Sequence, residues 1–132
     1  MPLSDLIQTA NRVLIAEGDL DRVADFFADG YRAHGTDRDL VGHDAIGSYL
    51  RMLRESFPDL TVDVEILVKG ADRIAWQRRL QGTHAQAFMG FPASGRPVLW
   101  RDMVVSRVDG DRIQEEWVLT DQVERMMRAR KG

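Results

Sequence analysis

The apolar positions of the chain change their period near the middle. Leu3, Leu6, Ile7, Ala10 and Leu14 recur at i, i+3, i+4, i+7 and i+11, which is one face of an α-helix. That segment stops at Gly18, and Asp19 is placed to cap a short second helix whose apolar side is Leu20, Val23 and Phe27. After Gly30, YRAHGTDRDLVG carries no helical stripe and reads as a short extended piece and a loop. A third helix is predicted from about His43, with Ile46, Leu50, Leu53 and Phe57 inward and Pro58 ending it. From Val62 the period falls to two. Val62, Val64, Ile66 and Val68 alternate with Thr61, Asp63, Glu65 and Leu67, as in a strand. Lys69 to Asp72 is a turn, Ile74 to about Gln81 the return strand, and GTHAQAFMGFPASGR a loop. Val98–Val108 is a long strand, Asp109-Gly110 a hairpin signal, Ile113–Thr120 the last strand, and Val123, Met126 and Met127 mark a closing helix.

Three helices followed by a four-stranded antiparallel meander predict an α+β fold with the helices on one sheet face, in a single domain over residues 1–132. Long strands curl, so helices laid across them enclose a cone with a pocket inside. In the last strand Ile113, Glu115, Trp117, Leu119 and Asp121 share the more apolar parity, and this face is predicted to be the inner one. The strand 98–108 carries large apolar groups on both faces, which predicts a homodimer through the outer sheet face.

Composition narrows the chemistry. The 132 residues contain no cysteine, which removes disulfides, thiolate nucleophiles and cysteine-based zinc sites. A formal charge of −3 gives no reason to expect nucleic acid or a membrane surface as partner. MPLSDLIQTANRVL has neither the basic start nor the apolar run of a signal peptide, so a cytoplasmic protein is expected. The three histidines fall on separate elements without a ligand-type spacing, and no metal is expected.

GDLDRVADFFADGYRAHG, FPDLTVDVEILVKGADRIAW, GTHAQAFMGFPASGRPV and DGDRIQEEWVLTD, taken in order, resemble the SnoaL-like polyketide cyclases. That group belongs to the nuclear transport factor two-like, cone-shaped superfamily. The resemblance implies cofactor-free aldol ring closure on a polyketide ester, with an aspartate moving the proton, and Asp121 stands where that aspartate stands. The loop has Ala93-Ser94-Gly95 where the family commonly shows Pro-Thr-Gly, and the tail MMRARKG lacks the usual Gln-Leu-Gly ending. Related ketosteroid isomerases carry a catalytic carboxylate near Ala33-His34-Gly35-Thr36, where this chain has none.

Asp121 also has a structural explanation, since Asp121-Gln122-Val123-Glu124 fits a capping box opening the last helix. Capping would lower its pKa and burial beside Trp117 and Leu119 would raise it. His84 shares inward parity with Ile74, Trp76 and Leu80, and reads either as a polarising partner to Asp121 or as a turn histidine. His34, Tyr49, Phe88, Trp100 and Trp117 are candidate substrate contacts, and His43 is expected at the surface. Arg101 and Asp102 lie on opposite strand faces; an inward Asp102 would share a proton with Asp121, and an outward one is a surface charge. Epoxide-hydrolase-like water activation would need an Arg-x-Asp, and Arg79 to His84 supplies no second carboxylate. A dehydratase built on His34, His84 and Asp121, and a non-catalytic binding or dimerisation module, complete the alternatives.

Overall fold

The amphipathic start of the chain forms α1 (Leu3–Asn11), which buries Leu6, Ile7, Ala10 and Asn11. The computed structural model describes residues 1–35 and 38–131, so Thr36 of the Ala33–Thr36 run and the last residue of the tail lie outside the described residues. Past α1 the helix widens to a π turn over Arg12–Ala16, in which the Glu17 N–H donates to Arg12 O at 2.8 Å. The wider turn brings Val13, Leu14 and Ile15 all into the core. Gly18 then takes φ +71°, and the Arg54 guanidinium lies against it while donating to Ile15 O, so a side chain at Gly18 would displace that cap.

The second predicted helix is shorter than expected. Leu20–Arg22 is a 3-10 turn, α2 spans only Val23–Phe26, and Phe27 already opens a strand. That strand, β1 (Phe27–His34), and β2 (Asp39–Val41) enlarge the expected four-stranded meander to six strands. α3 covers Gly42–Ser56; β3, β4, β5 and β6 cover Thr61–Lys69, Arg73–Thr83, Pro97–Asp109 and Arg112–Thr120; α4 covers Gln122–Lys131. The sheet order is β2-β1-β6-β5-β4-β3. The meander β3 to β6 is antiparallel as predicted, whereas β1 joins β6 in parallel. β6, the parallel neighbour of β1, lies some eighty residues downstream, and the local antiparallel neighbour β2 is only three residues long, too short to write a strand period.

α1 packs on β3 and β4, α3 on β1, and α4 on β5. The core beneath them runs from Ile7 and Leu53 through Phe57 and Trp76 to Val104 and Ile113. Along β5 one parity is buried from end to end: Val98, Trp100, Asp102, Val104, Ser106 and Val108.

β6 departs from the predicted parity. Val108 pairs with Ile113 and Arg107 with Glu115, so Gln114 is an extra residue opposite the β5 ladder. A bulge of this kind reverses inside and outside for everything after it. Ile113 therefore points inward, but so do Glu116 and Val118, while Trp117 and Leu119 lie exposed on the outer face. Among the described residues no helix is long and apolar enough to cross a membrane.

Candidate functional site

Between α1, α3 and the inner sheet face lies a cavity of about 160 Å³. Its walls are mainly apolar, from Ile7, Leu14, Phe27, Ile46, Leu50 and Trp76, and into them project a few polar side chains. This is the usual composition of a small-molecule site, greasy walls with a handful of placed polar groups.

Two polar clusters face this space. In the first, Arg78 and Asp102 are cross-strand neighbours on β4 and β5. Arg78 Nε donates to Asp102 Oδ2 at 2.8 Å, and Arg78 Nη1 donates to Asn11 Oδ1 at 2.9 Å. Asn11 is itself fixed by donating to Ile7 O at 2.9 Å. The ion pair is well buried, with the Asp102 side chain only 8% exposed. Asp102 Oδ1 is bonded to none of the described residues, which leaves it for a ligand. Tyr49 faces the same aspartate; burial, then the Asp102 charge, pushes its phenol up to about 12.

The second cluster centres on Glu116. Tyr31 Oη donates to Glu116 Oε1 at 2.6 Å, Ser106 Oγ donates to Oε2, and Trp76 Nε1 donates to Ser106 Oγ at 2.9 Å. Burial raises the Glu116 carboxyl above its ordinary range, outweighing the Ser106 and Tyr31 bonds that oppose it. Tyr31 is also pushed up, by burial first and then by the Glu116 charge.

The predicted site residues separate into three groups. Asp102 and Tyr49 do line the cavity, and Asp102 rather than Arg101 is the inward residue. Phe88 and Trp100 stand one layer behind it, packed on Phe57 at centroid distances of 5.8 and 4.9 Å. Trp117 and His34 lie on the outer face, stacked on each other at 5.4 Å, with His34 Nε2 2.6 Å from Glu115 Oε2. His43 is half-buried rather than at the surface, its Nε2 donating to Phe27 O at 2.7 Å.

Asp121 is not among the lining residues, and this corrects its placement in the pocket. The Gln114 bulge turns it outward, where Oδ1 accepts the Arg101 N–H at 2.8 Å and Oδ2 accepts from Arg125 Nε at 3.0 Å. Burial alone would raise its pKa, but the Arg101 N–H and Arg125 prevail and hold it below the ordinary range. It is not a capping box either. Thr120 Oγ1 takes the Gln122 N–H at 3.1 Å, and Glu124 pairs with Arg128. The carboxylate instead ties the start of α4 to β5.

His84 has the predicted inward parity but sits outside the cavity lining, fully buried and stacked on Phe57 at 5.2 Å. Neither ring nitrogen is hydrogen-bonded among the described residues. Burial lowers its pKa, with the Gln86 backbone acting in the opposite sense. His34, His84 and Asp121 thus occupy three different places, and the dehydratase arrangement is not assembled.

Sequence reasoning does not single out Arg78, Asn11, Tyr31 or Glu116. For Arg78 a signal exists: it shares the inward parity of Ile74, Trp76 and Leu80, and a charge in that series marks a polar group facing the core. Tyr31 alternates with Arg32 in the same way. Glu116 is hidden by the bulge.

Comparison with known proteins places these features in context. The family model described as SnoaL-like polyketide cyclase matches residues 5–128. Among solved structures, IdmH from Streptomyces antibioticus, a proposed polyketide cyclase, is 28% identical with a TM-score of 0.79, covering 94% of this chain and 95% of its own. A SnoaL-like polyketide cyclase from Agrobacterium tumefaciens is 25% identical with a TM-score of 0.78, covering 96% and 98%. TsrD from Streptomyces laurentii, at 17% identity and a TM-score of 0.83 over 98% and 96%, shares the fold. No curated protein matches.

Proposed function

The chain belongs to the SnoaL-like polyketide cyclase family, and from that premise we propose that it performs cofactor-free acid/base chemistry on a hydrophobic, carbonyl-containing small molecule, either aldol-type ring closure or isomerisation. The observation that carries this reading is the buried Arg78–Asp102 pair opening onto an apolar cavity. Asp102 Oδ1 is the base for a proton α to the carbonyl. Arg78, fixed through Asn11, holds the carboxylate in one orientation. Low-dielectric walls strengthen every such interaction relative to water.

The test is incorporation of solvent deuterium at the α-carbon of an aryl β-keto ester, followed by NMR. Wild type should exchange it faster than buffer. Asp121→Asn should keep exchange within about threefold while losing about 0.5–1.5 kcal/mol of stability with the hydrogen bonds that tie α4 to β5. Absence of exchange across a panel of such esters would instead favour a non-catalytic binding module.

Epoxide hydration is the second reading, favoured by one observation. Arg78 bonds Asp102, and Glu116 lines the same cavity, so β4, β5 and β6 bring an arginine and two carboxyl groups to one apolar space. Diol formation from an apolar epoxide, without α-exchange, would select it.

We also propose a homodimer through the outer sheet face. Met103 pairs in register with Leu119 and Val105 with Trp117, and Leu99 extends the same apolar face. Leu119 is 68% and Leu99 52% exposed, a contiguous patch of a kind that ordinarily meets a partner. Leu119→Lys places charges across the two-fold contact and should convert a sedimenting dimer to monomer; an unchanged mass would remove this face as the interface.

A further inference from the structure

Directionality of hydrogen bonds around Glu116 fixes where a proton can sit. The Trp76 indole has only a donor, so Ser106 Oγ accepts from it, and Glu116 Oε2 is the acceptor that the described residues offer to the Ser106 O–H. Oε2 is therefore an acceptor, and any proton on this carboxyl resides on Oε1, facing Tyr31. Two protonation states of the pair remain, differing by one proton. With Glu116 ionised, the Tyr31 O–H is consumed by Oε1. With Glu116 neutral, the Oε1–H donates to the phenol oxygen, and the Tyr31 O–H is released toward the cavity that both residues line.

We propose that Glu116 and Tyr31 form a proton-gated donor, in which a neutral Glu116 positions the Tyr31 O–H to bind the carbonyl or enolate oxygen of a ligand. Glu116 is a positioning residue and Tyr31 the group that touches the ligand. The inference rests on the cavity being a ligand site, as in the proposed function, but does not require Asp102 to be a base. Burial in the absence of a direct cationic partner favours the neutral form of Glu116, in keeping with the direction of its pKa. The charged and titratable groups facing it are Tyr31 from β1, Arg78 from β4 and Asp102 from β5, with Tyr49 of α3 on the far side of Asp102.

The experiment is fluorescence titration of 2-naphthol, an aryl alcohol that stands in for an enol, between pH 5 and 8. It compares wild type with Glu116→Gln and Tyr31→Phe. Wild-type affinity should fall as pH rises, because ionised Glu116 recaptures the tyrosine proton. Glu116→Gln installs a permanently neutral group at the same position. With the amide oxygen toward Ser106 and the amide nitrogen toward Tyr31, that variant should bind at the low-pH level throughout. Tyr31→Phe should bind about tenfold or more weakly and without pH dependence. Stability supplies a second readout. A carboxyl whose folded pKa is raised contributes fully below its ordinary value and loses that contribution as pH rises through the raised one, so Glu116→Gln should flatten the decline.

Glu116→Gln binding as weakly as Tyr31→Phe, or wild-type affinity independent of pH, overturns the proposal. If β-keto ester exchange persists while naphthol binding ignores both substitutions, the donor pair fails and the proposed function stands. Wild type that neither binds naphthol nor exchanges refutes both.

Discussion

Asp102→Asn should lower α-proton exchange by about 10²–10⁴-fold and cost about 3–5 kcal/mol of stability. The two losses have different origins. Exchange falls because an amide is no base. Stability falls because Arg78, 17% exposed and bonded to Asp102 at 2.8 Å, is left as a buried charge without its counterion. A second variant separates them. Arg78→Met with Asp102→Leu removes both charges at similar volume, and replacing a buried pair in this way is neutral or stabilising. Chemical denaturation should find that double variant about as stable as wild type, while NMR finds it inactive. A double variant that is stable and still exchanges would move the chemistry away from this pair.

Phe57→Ala should cost about 3–5 kcal/mol, or roughly 10–20 °C in Tm for a chain of this size. Phe57 is fully buried and is the ring on which His84, Phe88 and Trp100 all pack. The neighbouring strand accommodates it only because position 82 is glycine; a Cβ there would lie 2.9 Å from Phe57 Cβ. The effect reaches the site through one intermediate ring. Phe88 leans on Phe57 and also on Tyr49, at 6.2 Å, and Tyr49 lines the cavity. Phe57→Ala should therefore weaken 2-naphthol binding together with stability, whereas a change at exposed Met52 should alter neither. Thermal melts and the fluorescence titration measure both quantities on the same samples.

Individual elements explain how far sequence reasoning reaches. α3 and the β3–β6 meander are legible because each writes its period locally: Ile46, Leu50 and Leu53 at helical spacing, Ile74, Trp76 and Leu80 at alternate positions. β1 is not, because its parallel neighbour β6 lies far along the chain and its local antiparallel neighbour β2 is only three residues long, too short to write an alternating period. The α+β class is accessible from the change of hydrophobic period, and the SnoaL-like family from motif order. The site is accessible only in part. Counting along β5 gives Asp102 the parity of Trp100 and Val104, and that count holds because β5 runs unbroken. The same counting misassigns β6, since one unpaired residue, Gln114, exchanges the two faces and puts Glu116 inside and Asp121 outside. A bulge leaves little trace in composition, and the error it causes covers every later residue of the strand.

The most direct measurement compares deuterium exchange into one aryl β-keto ester by wild type, Asp102→Asn and Asp121→Asn, with each variant's fold confirmed by circular dichroism. An interior Arg78–Asp102 base predicts that the Asp102 variant loses exchange and the Asp121 variant keeps it within about threefold. The opposite pattern, with exchange surviving at Asp102→Asn and vanishing at Asp121→Asn, would contradict the assignment of the Arg78–Asp102 pair as the place where the proton moves.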